Sequence, residues 1–204
     1  MSQAARRTIK GRQNALIVTI SLLTIIAALY AAATSPLLQW RDPIYITGGL
    51  SGVAALALLL IQPLLAGGRI AGLHPRQSRR IHGWIGAALV LAVLIHVVAL
   101  WITSPPDVID ALLFVSPTPF AVWGVLAMWA IFAAAALAAL RRRLPFQTWR
   151  IAHTALAVLI VTGSVLHAVL IEGTMGTPSK IVLCSLVLLA TAGVIAELRG
   201  WLRR

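Results

Sequence analysis

Six apolar runs, each about twenty residues long, divide the sequence and constrain its fold more than any other feature. Twenty residues of α-helix rise about 30 Å, which is the thickness of the hydrocarbon core of a bilayer. The runs cover residues 15–34, 46–66, 79–101, 120–140, 149–171 and 180–198. Their length predicts an all-α, polytopic membrane protein built as a bundle of six transmembrane helices.

The composition agrees with a membrane protein that contacts the lipid bilayer directly. Hydrophobic residues make up 60% of the chain, charged residues make up 11%, and the mean hydropathy is +0.93, which is more apolar surface than a soluble core needs. A net charge of +12 would also suit a nucleic-acid-binding protein, but the basic residues form short clusters between the apolar runs. We therefore attribute the charge to membrane topology and expect no nucleic-acid partner.

The basic clusters also predict the orientation of the chain. All but two of the 17 Lys and Arg residues lie in the terminal tails or in the loops after the second and fourth runs. By the positive-inside rule both termini are then cytoplasmic. We expect a cytoplasmic tail at 1–14, a transmembrane domain at 15–198 and a cytoplasmic tail at 199–204, in a bacterial inner (plasma) membrane. Cleavage of the first run as a signal sequence is the minor alternative.

Two of the apolar runs contain a pair of histidines each. His82 and His96 lie in the third run, His153 and His167 lie in the fifth, and fourteen residues separate the two members in both runs. Fourteen residues make nearly four helical turns and rise about 21 Å, so each helix presents both histidines on one face. Because both helices run outward, His82 and His153 (the inner pair) share one depth, and His96 and His167 (the outer pair) share another.

The histidine pairs indicate a chemical role because a polar side chain inside the hydrocarbon is costly without a partner. Two facing imidazoles at one depth are suited to bind a haem iron from both sides, so the two depths predict two stacked haems. Cys184 is the only cysteine, which excludes disulfides, a Cys-rich iron–sulfur site and covalent haem attachment. The alternative is a haem-free transporter or scaffold in which the histidines only join helices.

Basic residues near the ends of the runs are candidates for contacts with haem propionates. Arg79, Arg80 and Arg150 lie at the level of the inner pair, and Arg41 and Lys180 lie on the outer side. The positive-inside rule already explains the three inner arginines, so both interpretations of them stay open.

The sequence also allows weaker predictions about one further histidine, two aromatic residues and an internal repeat. His74 is expected in a surface loop, at a docking face for a cytoplasmic partner, and Trp129 and Phe132 lie deep enough to separate the two levels or to pack in the core. The segments Arg79-x-x-His82 and Arg150-x-x-His153 suggest an internal repeat, with the third and fourth helices as one copy and the fifth and sixth as the other.

At these residues the sequence resembles the ferric-reductase-like transmembrane domain superfamily, which includes NADPH oxidases, iron reductases and the haem subunit of the bacterial methionine sulfoxide reductase system. The resemblance rests on the six helices, the histidine pairs, RRIHGWIG at 79–86 and LPFQTWRIAHTALA at 144–157. It implies two non-covalent b-type haems, one bound by His82 and His153 and the other by His96 and His167. The chain would then be the membrane cytochrome b component of an oxidoreductase.

The resemblance also bears on the partners. An iron with two axial histidines has no open position, so the expected chemistry is electron transfer. Superfamily members usually continue into a flavin- and nicotinamide-binding domain, whereas this sequence has no dinucleotide-binding Gly-rich fingerprint and hence no expected FAD site. The expected donor is a separate cytoplasmic flavin reductase or quinol, and the expected acceptor is ferric iron, oxygen or a periplasmic enzyme. A subunit serving a periplasmic methionine sulfoxide reductase and a quinol-linked superoxide oxidase are further alternatives.

Overall fold

The computed structural model describes residues 3–70 and 72–202, with side chains described over 11–70 and 72–197, and its regular structure over these residues is entirely helical. The α-helices are α1 (Gln3–Ala33), α2 (Pro43–Ala66), α3 (Pro75–Thr103), α4 (Pro105–Leu112), α5 (Ala121–Ala139), α6 (Phe146–Leu170) and α7 (Thr177–Leu202). All of them except α4 are long and apolar enough to cross a membrane. The predicted all-α fold with six spanning helices is confirmed.

The terminal tails are largely helical. Helix α1 begins at Gln3, so it includes most of the segment expected as an N-terminal tail, and α7 continues to Leu202. Arg203 and Arg204 lie outside the described residues. The cytoplasmic assignment of both tails stays a prediction.

Proline residues and side-chain caps set the beginnings of α2 and α3. Pro43 and Pro75 are the first residues of these helices, where a missing N–H costs no helical hydrogen bond. Asp42 Oδ1 accepts a 2.7 Å hydrogen bond from the N–H of Ile44. At α3, His74 Nδ1 accepts a hydrogen bond from the N–H of Arg76 at 3.3 Å. His74 is exposed, as expected, and the structure adds that it caps a helix.

The bundle is organised as two closely packed helix pairs, α2 with α3 and α5 with α6, and α7 contacts both pairs. Small residues allow the close approach within each pair. A Cβ atom at Gly48 of α2 would lie 3.0 Å from the Cβ of Ala99 in α3, and one at Gly163 of α6 would lie 2.9 Å from the carbonyl oxygen of Trp123 in α5. Larger side chains at these positions would push the helices apart.

Polar side chains join the helix ends. The buried Ser78 Oγ at the start of α3 donates a 2.7 Å hydrogen bond to the carbonyl of Leu65 near the end of α2. Arg69 after α2 forms an ion pair with Glu197 in α7. Both contacts lie at the end of the bundle that holds the inner pair, so this end is joined across α2, α3 and α7.

Candidate functional site

The structure brings the four intramembrane histidines together in two pairs, with one member of each pair on α3 and the other on α6. The ring centroids of His82 and His153 are 6.1 Å apart, and the planes of the two rings cross at 68°. The ring centroids of His96 and His167 are 6.4 Å apart, and their planes cross at 82°. The two pairs therefore have nearly the same geometry, although they lie about 21 Å apart along the helices.

Both histidines of the outer pair are held by backbone carbonyls. His96 Nδ1 lies 2.7 Å from the carbonyl oxygen of Gly48 in α2, and His167 Nδ1 lies 3.0 Å from that of Phe120, just before α5. A carbonyl oxygen only accepts, so Nδ1 carries the proton in both rings. In the neutral imidazole Nε2 then has a free lone pair, which is the state that can bind a metal.

A glycine lies against each of these rings, one helical turn after the carbonyl. A Cβ atom at Gly52 would lie 3.0 Å from His96 Nδ1, and one at Gly124 would lie 2.6 Å from His167 Nδ1. We call each combination of a carbonyl and a following glycine a cradle: Gly48 with Gly52 on α2, and Phe120 with Gly124 on α5. The glycines leave the space in which the imidazole rings reach the carbonyls.

The cradles define the internal repeat. Helix α2 holds the outer histidine of α3, and α5 holds the outer histidine of α6 in the same way. The repeated unit is therefore α2 with α3 and α5 with α6, whereas the sequence suggested that each copy starts at a histidine helix. The contacts favour the division into α2 with α3 and α5 with α6, because each histidine helix packs on the membrane helix before it.

The inner pair is held differently. His82 Nδ1 lies 3.3 Å from the carbonyl oxygen of Gln62 in α2, and the Gln62 side chain donates back to the carbonyl of His82 at 3.4 Å. His153 Nδ1 is buried and, among the described residues, has no hydrogen-bond partner. The His153 ring instead stacks on Trp149, with centroids 5.1 Å apart and planes within 10° of each other. The guanidinium of Arg141 lies 4.8 Å from the centre of the Trp149 ring.

The Nε2 atoms are the free nitrogens of the site. Within the described part of the chain, none of the four histidine Nε2 atoms makes a hydrogen bond, and none is enclosed by protein atoms. The described residues also contain no cluster of three or more His, Cys, Asp or Glu side chains suited to a metal ion. Each pair thus offers two imidazole nitrogens, a set that would suit a metal which brings its other ligands with it.

The basic candidates lie in different environments. Arg79 and Arg80 are exposed at the start of α3, and Arg150 is half-buried with its guanidinium 5.6 Å from the centre of the Phe146 ring. Arg41 lies over the ring of Tyr45 at 5.1 Å.

Lys180 does not fit its expected role. Its side chain is only 7% exposed, and Nζ donates a hydrogen bond to the carbonyl of Ile171 at the end of α6. Lys180 therefore stabilises a helix end, where a positive charge is favourable, and does not offer an exposed cation.

The intermediate depth is occupied by an aromatic pair on α5. Trp129 and Phe132 meet edge to face with ring centroids 5.9 Å apart. Trp129 follows Gly124 by five residues, so it lies roughly 7 Å further along the helix, between the two levels of histidines. Its side chain is exposed, and Phe132 is half-buried against the core.

A family comparison agrees with this arrangement. The family described as "Ferric reductase like transmembrane component" matches residues 51–164, a segment that begins in α2, ends in α6 and contains His82, His96 and His153. No curated protein and no solved structure matches the chain. The match covers more than half of the 204 residues. The resemblance noted in the sequence is thereby confirmed, and the chain belongs to the family of ferric reductase like transmembrane components.

Proposed function

We propose that this protein transfers electrons across a membrane, with one haem b bound between His82 and His153 and a second between His96 and His167. When bound, haem supplies a one-electron redox centre whose iron, closed by two imidazoles, favours electron transfer over oxygen insertion. The observation that carries the proposal is a pair of neighbouring imidazoles, one on α3 and one on α6, at each of two depths. Among the described residues, none of the four Nε2 atoms makes a hydrogen bond.

The spacing of the rings supports metal ligation. A bond between a metal and an imidazole nitrogen is about 2 Å long, and the ring centroid lies about 1 Å behind the nitrogen, so two opposed ligands have centroids about 6 Å apart. The observed values are 6.1 Å for the inner pair and 6.4 Å for the outer pair. Among the described residues, the two rings of each pair make no hydrogen bond to each other, so no such bond joins α3 to α6 at these histidines.

The hydrogen bonds at Nδ1 support the same assignment. They fix the tautomer and the orientation of His82, His96 and His167, which is what outer-shell partners do for metal-binding histidines. A haem-free protein would keep an unpartnered acceptor nitrogen on each of the four imidazoles within the membrane, at a cost of up to about 1–3 kcal/mol where that nitrogen is shielded from water. Ligation removes this cost.

The direction of transfer follows from the basic clusters. They favour a cytoplasmic location for the end that holds the inner pair, in a bacterial plasma membrane. Moving an electron outward across an inside-negative membrane is favoured by about 2.3 kcal/mol per 100 mV. We infer that a cytoplasmic flavin reductase or quinol reduces the inner site and that an acceptor meets the outer site, where ferric iron, oxygen or a periplasmic reductase are the candidates.

Arg79, Arg80 and Arg150 are the residues that would meet the carboxylates of the inner haem. All three lie within the first turns of α3 or α6, on the same end of the bundle as the inner pair. Guanidinium groups at this position can pair with carboxylates while they remain in contact with the aqueous side.

Transfer across a sealed vesicle tests the proposal. Haem-loaded protein would be reconstituted in vesicles that contain ferricyanide, and dithionite would be added outside. We expect reduction of the trapped ferricyanide by the wild-type protein and by the control variant His74→Ala, and none above the rate of empty vesicles for His96→Ala. Wild-type vesicles that reduce no faster than empty ones would overturn the proposal.

A further inference from the structure

The similarity between the two repeats breaks at one residue of the inner pair. Fourteen residues separate the two histidines of each helix. On α2, the two carbonyls that contact His96 and His82 belong to Gly48 and Gln62, which are also fourteen residues apart. By the same spacing, the residue that follows Phe120 by fourteen positions is Ala134 of α5, whose carbonyl would be expected to contact His153. Among the described residues, however, no carbonyl bonds His153, whose buried Nδ1 has no partner. His153 is therefore the one ligand candidate without a backbone hydrogen bond.

An aromatic stack takes the place of the missing hydrogen bond. Trp149 lies one turn before His153 on α6, and its indole is nearly parallel to the imidazole, at 10° and 5.1 Å. Phe146 stacks on Trp149 from the start of the helix, with centroids 6.4 Å apart. Arg141 adds a cation over the indole. The ring of His153 is thus oriented by contact with a flat surface, which fixes its plane and leaves its Nδ1 without a partner.

We propose that Trp149 is the positioning residue of His153. The orientation of His153 then depends on the aromatic stack, whereas the orientation of the other three histidines depends on hydrogen bonds to backbone carbonyls. The inference rests on the proposed function, since it concerns how firmly the inner haem is held. A histidine that donates to a carbonyl is a stronger metal ligand than one that does not. The inner site therefore releases its haem faster than the outer site, and Trp149 limits that release.

Haem transfer to an excess of apomyoglobin tests both the faster release from the inner site and the role of Trp149 in that release. Haem-loaded wild-type protein should lose haem in two phases, and His153→Ala, which lacks the inner site, should lose the faster one. Trp149→Leu should accelerate the faster phase about tenfold or more, the usual effect of removing an outer-shell partner, and should leave the slower phase unchanged. Trp149→Phe, which preserves a flat ring, should restore a rate close to that of the wild type.

A spectroscopic signal separates positioning from general destabilisation. The low-spin electron paramagnetic resonance signal of a haem with two histidine ligands depends on the orientation of the imidazole planes, so Trp149→Leu should shift the inner signal only. Trp84→Leu is the control, because Trp84 lies on α3 two residues after His82, is 67% exposed and undergoes the same change of side chain. It should change neither the signal nor either phase.

The outcomes are distinguishable. An unchanged fast phase and an unchanged signal in Trp149→Leu would overturn the inference, and so would an equal effect of Trp84→Leu. If Trp149→Leu does not fold, Arg141→Gln at the exposed end of the stack should accelerate the same phase, and an unchanged rate there would overturn the inference as well. Wild-type protein that takes up no haem would refute the proposed function itself.

Discussion

Replacing Gly124 by alanine should weaken the outer site through a single added methyl group. The new Cβ would lie 2.6 Å from His167 Nδ1 and 2.9 Å from its Cε1. Ordinary contacts between such atoms begin at about 3.5 Å, so the imidazole has to move by about 1 Å. That movement takes Nδ1 out of its 3.0 Å hydrogen bond with the carbonyl of Phe120.

The expected size of the effect follows from the loss of this hydrogen bond. Removing an outer-shell partner of a metal ligand costs about 10–100-fold in affinity, or about 1.4–2.8 kcal/mol at 1.4 kcal/mol for each factor of ten. Within a helix, alanine is favoured over glycine by about 1 kcal/mol. This gain offsets part of the cost of the displaced ring, so the haem-free protein should lose less free energy of unfolding than the site loses in haem affinity. Gly124→Ala should therefore reduce haem affinity without a matching loss of melting temperature.

Titration of haem-free protein with haem, followed in the Soret band, measures the affinity of the outer site. Gly52→Ala should have a smaller effect, because its Cβ would lie 3.0 Å from His96 Nδ1, and the ring has to move less. Gly176→Ala is the control, because nothing lies within 4 Å of the added Cβ. The reasoning would be refuted if Gly124→Ala bound haem as tightly as the wild type or if Gly176→Ala lost as much affinity.

The remaining predictions concern other residues. His96→Ala or His167→Ala should remove one haem and retain the inner one, and loss of both from a folded variant would contradict two separate sites. His74→Ala should retain the Soret band, because only a helix cap is removed. Thermal unfolding should show a loss of about 1 kcal/mol of stability, and a missing Soret band would place His74 at the haem. Lys180→Met should lower the melting temperature, because the carbonyl of Ile171 loses its buried donor, and a changed spectrum would mean that Lys180 contacts the haem.

The parts of this structure that depend on length and spacing could be predicted from the sequence. The six spanning helices follow from apolar runs that match the thickness of a bilayer. The meeting of His82 with His153 and of His96 with His167 follows from the equal separation of fourteen residues, because two helices with the same spacing and direction align both pairs at once.

The contacts that hold the histidines could not be predicted in the same way. A backbone carbonyl is present at every residue, so nothing in the sequence marks Gly48, Phe120 or Gln62 as an acceptor. Gly52 and Gly124 are visible as small residues in apolar runs, but glycine is common in membrane helices, and its partner depends on how two helices pack.

Trp149 and Lys180 illustrate a second limit. Trp149 opens the fifth apolar run and is typical of a membrane boundary, yet in the structure its ring lies on His153. Lys180 looks like an exposed outer cation in the sequence, whereas its side chain turns inward to the end of α6. In both cases the position along the helix is predictable and the direction of the side chain is not, because neighbouring helices decide it.

The haem content per chain, measured with a reduced-minus-oxidised absorbance spectrum on detergent-purified protein, tests the central claim most directly. With all four histidines intact, the account predicts two b-type haems per chain, both low-spin because each iron has two imidazole ligands. Protein that binds no haem after supplementation would contradict the account, and the four histidines would then have to be explained as contacts between helices.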